Sequence, residues 1–92
     1  MPQLFKVGPW RVYFWSNESN PLEPVHVHIA EGMPGPDATK VWITRSGKCI
    51  VANNTSRIPR GMLHSLLMQI EANSDWICDK WLERFGEITF YC

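Results

Sequence analysis

Two histidines, His26 and His28, carry the clearest chemical signal in the sequence because they lie two residues apart in an alternating segment. On a β-strand this spacing puts both imidazoles on one face, with their Cβ atoms about 6.5 Å apart along the strand. Such a pair can coordinate a metal ion if a third ligand is present. His64, Glu18 and Glu23 are candidates for that ligand, although nothing in the sequence places them near the pair.

The same two histidines can also act without a metal. Imidazole changes its protonation state near neutral pH, so one ring can serve as general base and the other as general acid on a phosphodiester. This chemistry also needs a cation for the charge that develops on the phosphate, and Arg11 and Lys40 lie on neighbouring predicted strands. The candidate catalytic residues are therefore His26, His28, Lys40 and Arg11, and no cofactor is expected.

Binding without catalysis is a third interpretation of this region. Tyr13 and Trp42 can stack on nucleic-acid bases or pack on a partner protein. Glu18, Arg45 and Lys48 complete the set of candidate binding residues. Histidines on an exposed strand are also often only solvated or hydrogen-bonded, and this simpler interpretation stays open beside the other three.

The secondary structure that must position these residues follows from the periodicity of the apolar side chains. Alternation and β-branched or aromatic residues predict strands, whereas apolar spacings of three, four and seven predict amphipathic helices. The predicted strands are at residues 10–16, 25–30, 39–44 and 48–52, with a last strand at 87–91. One helix is predicted at about 59–72, and a second follows a cap at Asn73 or Ser74. Ser46-Gly47 marks a turn, and Gly86 ends the second helix.

These elements predict a single α+β domain over residues 1–92, in the order β-β-β-β-α-α-β. Each helix has one apolar stripe to bury, so both are expected on one face of an antiparallel sheet of four to five strands. Because Val25, Val27 and Ile29 would face the helices, His26 and His28 should face the open side. An exposed and partly apolar sheet face usually marks a contact surface.

The remaining aromatic residues and the cysteines have simpler interpretations. Trp76, Trp81, Phe85 and Phe90 are expected in the core. Cys49 and Cys78 are also interpreted as core residues and Cys92 as an exposed thiol. Three widely spaced cysteines without a Cys-x-x-Cys pair indicate neither a disulfide framework nor a cysteine-based zinc site.

The charges are balanced in number but not in order. The 92 residues contain nine Lys and Arg against nine Asp and Glu. Residues 1–37 have a formal charge of −2, residues 38–70 have +5 and residues 71–92 have −3. The balance excludes a generally polybasic protein, while the central block can bind phosphates or an acidic partner. The same block can instead be a solvated edge that pairs with the acidic second helix.

The apolar stretches are also informative about location. None approaches the ~20 residues of a membrane-spanning helix, and the N-terminus has no secretory signal, so a cytoplasmic location is expected.

The order of several motifs resembles a family of small prokaryotic proteins known as domain of unknown function 4160. The resemblance is carried by Ser16-Asn17-Glu18, Val25-His26-Val27-His28 and Lys40-Val41-Trp42-Ile43, and continues to the closing residues 85–91. Members are often encoded beside a protein of domain of unknown function 2442, and the pair has been proposed as a toxin–antitoxin module.

The resemblance implies a toxin-like protein whose partners would be RNA and a small antitoxin. The first hypothesis is an RNA-binding protein that can also cleave RNA through His26 and His28, as a metal-independent ribonuclease. The alternative is a non-enzymatic interaction module whose open sheet face docks a partner. An edge strand and an aromatic face also predict a homodimer, and no membrane partner is expected.

Overall fold

Five antiparallel strands followed by two helices form the part of the chain that the computed structural model describes, residues 3–16 and 21–92. The strands are β1 Gln3–Val7, β2 Trp10–Tyr13, β3 His26–Glu31, β4 Thr39–Ile43 and β5 Cys49–Asn53, and the helices are α1 Arg60–Ala72 and α2 Ser74–Phe85. The sheet order β1-β2-β3-β4-β5 follows the chain. The predicted α+β architecture is therefore confirmed. Within these residues, no helix has the length and apolar character needed to cross a membrane.

The two ends of the chain differ from the sequence-based expectation. Strand β1, which was not predicted, pairs with β2 through a turn at Gly8. The segment at 87–91 was predicted to be a strand but forms no ladder. Instead, the backbone N–H of Val25 donates to the carbonyl of Thr89 at 2.9 Å, and that of Arg45 donates to Cys92 at 3.0 Å. The C-terminal segment thus crosses the ends of β3 and β4 and is held there by isolated hydrogen bonds.

The main core lies between the helices and one face of the sheet. It combines the alternating apolar residues of the strands with the apolar stripes of both helices, as the two periodicities require. Its fully buried members include Val27, Ile29, Val41, Ile43, Leu66, Ile70, Ile77 and Trp81. Both helices therefore cover the same face, and the other face carries the second set of strand residues.

The second helix buries less of its apolar surface than the sequence indicates. Trp81 is in the core, as expected, but Trp76 is 41% exposed and Leu82 is 45% exposed. Because α2 covers the sheet with only one stripe, residues outside that stripe remain in contact with water. Gly86 ends the helix in the left-handed conformation, with φ at 77°.

The cysteine expectations are confirmed only in part. Cys92 is exposed, whereas Cys49 and Cys78 are only partly buried, and all three are free thiols. Burial and the carboxylate of Glu71 raise the pKa of the Cys49 thiol to about 12. Burial, followed by Asp75 and Asp79, also raises the pKa of Cys78.

Candidate functional site

The register of the sheet brings most of the predicted site residues together. Residues directly opposite each other in an antiparallel pair lie on the same face. Tyr13 is opposite His28, and His28 is opposite Lys40, so these three form one row across β2, β3 and β4. His26 and Trp42 form the next row. We call this face, which is opposite the helices, the open face.

Arg11 lies on the same face but farther from the histidine pair. It is opposite Ala30, one row beyond Tyr13 and His28 and two rows from His26. Its guanidinium Nη1 donates to the side-chain oxygen of Gln3 at 2.8 Å. Arg11 is therefore positioned at the β1 side of the open face rather than beside both histidines.

His26 is the most enclosed member of the site. The sequence predicts it to be on an exposed surface, but its exposed fraction is 0%. Its ring lies 5.3 Å from Trp81, 5.4 Å from Trp42 and 5.0 Å from His28, measured between ring centroids. Trp81 comes from helix α2 and Trp42 from the open face. His26 is the first residue of β3, and both rings contact it there, so it is covered from two sides.

A backbone contact defines the tautomer of His26. Its Nδ1 lies 2.9 Å from the carbonyl oxygen of Pro24. A carbonyl can only accept a hydrogen bond, so Nδ1 is the donor of this bond, and the other ring nitrogen, Nε2, is the one that a base mechanism would use. Nε2 is buried. The nitrogen that would act as a base is thus enclosed by protein.

His28 is the histidine that reaches the surface. It is partly exposed, and its ring lies 5.5 Å from that of Tyr13. Tyr13 was predicted as a stacking residue, but it is completely buried, with Trp15 packed edge-on at 5.4 Å. Tyr13 therefore supports His28 from within and offers no ring face to a ligand.

A stacked aromatic pair occupies the end of the open face beside His26. Trp42 and Tyr91 have ring centroids 4.8 Å apart and planes only 4° apart. Tyr91 is 59% exposed. Tyr91 was not among the site residues predicted from the sequence. The alternation of residues in the C-terminal segment is the signal that could have identified it. Ile88 and Phe90 pack on the core, and Tyr91 falls in the other set of alternating positions.

Two cations lie over aromatic rings near this end of the sheet, and one of them contacts the Trp42–Tyr91 stack. The Nζ of Lys40 is 4.3 Å from the centroid of Trp42 and forms a 2.7 Å ion pair with the exposed carboxylate of Glu23. The guanidinium of Arg45 lies 4.9 Å from the ring of Phe90, the residue before Tyr91. A cation near an aromatic face is attracted by the ring quadrupole. Lys40 therefore supplies positive charge to the stack, whereas Arg45 lies on the side of the C-terminal segment that Phe90 faces, where both line a cavity with Glu71 and Asp75.

The other predicted binding residues are less central. Lys48 is exposed at the turn between β4 and β5, where its backbone N–H donates to the side-chain oxygen of Thr44. The acidic residues Glu71 and Asp75 line a cavity with that turn. Glu18 lies outside the described residues.

The basic block of residues 38–70 does not form one continuous surface. Arg45 and Lys48 lie at the turn before β5, whereas Arg57 and Arg60 follow the other end of that strand. Five residues of strand separate the two groups by about 17 Å. Among the described residues of this block, Lys40 is the one that contacts the aromatic stack.

Two of the three proposed third metal ligands, His64 and Glu23, lie within the described residues. His64 is exposed on α1, in the layer on the opposite side of the sheet, and Glu23 is bound to Lys40. Among the described residues, no group of three His, Cys, Asp or Glu side chains is arranged to hold a metal ion.

Comparison with known proteins identifies the chain by family but not by activity. Residues 10–82 match the model of a domain of unknown function, DUF4160. No curated protein and no solved structure matches significantly. The matched region extends from β2 into α2 and includes His26, His28 and Trp42, but not β1 or Tyr91. The chain belongs to the DUF4160 family.

Proposed function

We propose that this protein is a toxin–antitoxin-type component that binds single-stranded RNA on its open face. In this proposal a base stacks on Tyr91, and an adjoining phosphate contacts Lys40. The observation that carries the proposal is the coplanar Trp42–Tyr91 pair, with centroids 4.8 Å apart and the outer ring 59% exposed.

The stack has the properties that recognition of an unpaired base requires. Proteins bind single-stranded RNA largely by stacking splayed bases on aromatic side chains. Trp42 supports one face of Tyr91, so the outer ring already has a defined plane before a ligand arrives. A prearranged ring loses less conformational entropy on binding than a mobile one does. Tyr91 therefore supplies a ready platform for a base.

A neighbouring cation supplies the electrostatic part of the interaction. Lys40 lies over Trp42, the inner ring of the stack. Lys40 is held by Glu23, but surface ion pairs contribute only about 0–1 kcal/mol. The side chain of Glu23 is 47% exposed. An RNA phosphate can therefore replace Glu23 as the partner of Lys40 at little cost.

The histidine geometry favours binding over two-histidine cleavage. A general acid and a general base must both reach the reacting phosphodiester, within about 3 Å or through one water. His26 is fully enclosed and its Nδ1–H is used by Pro24. His28 is partly exposed. In our proposal His28 contacts the RNA, and His26 positions His28 and Trp42.

Fluorescence anisotropy with a labelled single-stranded RNA tests the proposal. Base stacking on an aromatic residue contributes about 1–3 kcal/mol, so Tyr91→Ala should weaken binding by about 5- to 140-fold. Trp76→Ala is the matched control, because Trp76 is a similarly exposed aromatic residue on α2 and should leave the affinity unchanged. Equal affinity of wild type and Tyr91→Ala would contradict the proposal.

Incubating the same RNA with the protein separates binding from cleavage. We expect the RNA to remain intact on a denaturing gel after it has been bound. Cleavage that disappears in both His26→Ala and His28→Ala would instead support the two-histidine mechanism, provided that both variants remain folded. Cleavage that survives both substitutions would point to contaminating nuclease.

A further inference from the structure

Strand β1 leaves an open edge next to helix α2. β1 is the end strand of the sheet and pairs only with β2 among the described residues. Two neighbouring cavities, of about 480 and 530 Å³, lie along β1 and both are lined by Trp76. We call them together the β1–α2 groove. Edge strands present unpaired backbone groups that can hydrogen-bond to another chain.

The floor and wall of the β1–α2 groove are apolar. Leu4 and Phe14 line one cavity and Phe5 lines the other. Trp76, which is 41% exposed, contributes to both. An exposed tryptophan beside partly exposed aliphatic and aromatic residues is the kind of surface that a partner's apolar side chain covers.

Positive charge predominates around the groove. Lys6, Lys80 and Arg84 line it, against one acid, Glu83. Glu83 is 4.0 Å from Lys80. Within the described parts of the chain, Lys6 and Arg84 have no carboxylate partner. Lys6 is directly opposite Arg11, so its side chain lies on the open-face side of the β1 edge, while Lys80, Arg84 and Glu83 leave one surplus positive charge on the α2 side. Both sides of the β1 edge are therefore net positive and complementary to an acidic partner.

We propose that the β1–α2 groove binds an extended, acidic segment of a partner protein as an added strand. The backbone of the segment would pair with the open edge of β1, which supplies affinity that does not depend on sequence. Alternate apolar side chains would enter the groove against Trp76, and the intervening carboxylates would lie on the open-face side of the edge, near Lys6. This site is separate from the RNA-binding stack and does not depend on it.

A strand fits this surface better than a nucleic acid does. RNA phosphates can also contact Lys6 and Arg84, but they have no groups that pair with a strand edge. Only a peptide satisfies the edge, the apolar floor and the cations together. RNA binding at this groove would therefore contradict the proposal.

The test uses a soluble peptide of alternating Glu and Val, about eight residues long so that it spans all of β1. A peptide of alternating Lys and Val is the charge control. NMR titration of the full-length, isotope-labelled protein should show shifts in the amides of β1 and in the indole of Trp76 with the Glu-containing peptide. The control peptide should bind at least about tenfold more weakly, because it places like charges opposite the groove.

Two substitutions check the location of binding. Trp76→Ala should weaken binding of the Glu-containing peptide about tenfold or more, as expected for a central aromatic contact. Leu82→Ala is the matched control, since Leu82 is equally exposed on α2 but does not line the groove. It should have no effect on binding. Tyr91→Ala should also leave peptide binding unchanged.

Several results would overturn the proposal. Equal binding of both peptides would show that charge complementarity is not used, and shifts confined to β5 or to the open face would place the site elsewhere. Displacement of the peptide by single-stranded RNA, with the same β1 shifts, would assign the groove to nucleic acid. Dimerisation of the protein through β1, detected by sedimentation, would assign the edge to a second copy of the chain.

Discussion

The three histidines provide a direct test of the architecture around the candidate site, because they differ in burial. His26 is fully buried, His28 is partly exposed, and His64 is exposed on α1. We predict that the free energy of unfolding falls most for His26→Ala, less for His28→Ala and hardly at all for His64→Ala. A purely catalytic pair would instead tolerate both substitutions without loss of stability.

The size of the His26→Ala effect follows from its contacts. The substitution removes the hydrogen bond to Pro24, which is worth about 0.5–1.5 kcal/mol. It also removes ring contacts with His28, Trp42 and Trp81. Aromatic pairs contribute about 0.5–1.5 kcal/mol each, so the total loss is about 2–6 kcal/mol. Native domains are stable by only about 5–15 kcal/mol, so this loss is large.

The other two histidines have smaller expected effects. The ring of His28 contacts Tyr13 and His26, so two aromatic pairs place its loss at about 1–3 kcal/mol. His64 is on the helix surface, where substitutions usually change stability by less than about 0.5 kcal/mol. It is therefore the matched control for the series.

Urea denaturation monitored by circular dichroism measures these differences. With a slope of about 2 kcal/mol/M, the midpoint of His26→Ala should fall by about 1–3 M relative to wild type. The midpoint of His64→Ala should be unchanged. If His26→Ala unfolded at the same midpoint as His64→Ala, the enclosed position of His26 would be contradicted. The assignment of His28 as the histidine that contacts the RNA would then lose its basis.

Three further predictions concern other parts of the structure. Gly86→Ala should lower stability by about 1–2 kcal/mol, measured by thermal unfolding, because φ is 77° there and a Cβ strains that conformation; an unchanged melting temperature would contradict this. Arg57 also has a positive φ, of 58°, so Arg57→Gly should not reduce stability and can raise it by up to about 1 kcal/mol; a clear loss would show that the side chain is needed. At pH 8, iodoacetamide should modify the exposed Cys92 first and leave Cys49 largely unmodified, because a pKa of about 12 keeps the Cys49 thiol protonated. Mass spectrometry of the digested protein measures the labelling of each cysteine. Rapid labelling of Cys49 would contradict its raised pKa.

Much of the fold was predictable because it depends on local periodicity. Alternation at residues 25–30 identified the histidine strand, and apolar spacing identified both helices to within one residue. Strand β1 was missed because its five residues, QLFKV, do not alternate cleanly. The C-terminal segment was predicted as a strand from its composition, but within the described residues it bonds to Val25 and Arg45, just outside β3 and β4, as isolated contacts. Composition does not reveal whether a ladder forms.

The sequence by itself determined which strand carries the histidines, that they share a face, and that the opposite face belongs to the core. These properties follow from alternation along one strand. Only the tertiary structure decided that His26 is enclosed and His28 is not, since Trp81 and Trp42 reach His26 from distant parts of the chain. It also placed Tyr91 on Trp42. Burial depends on which elements meet in space, and no local pattern contains that information.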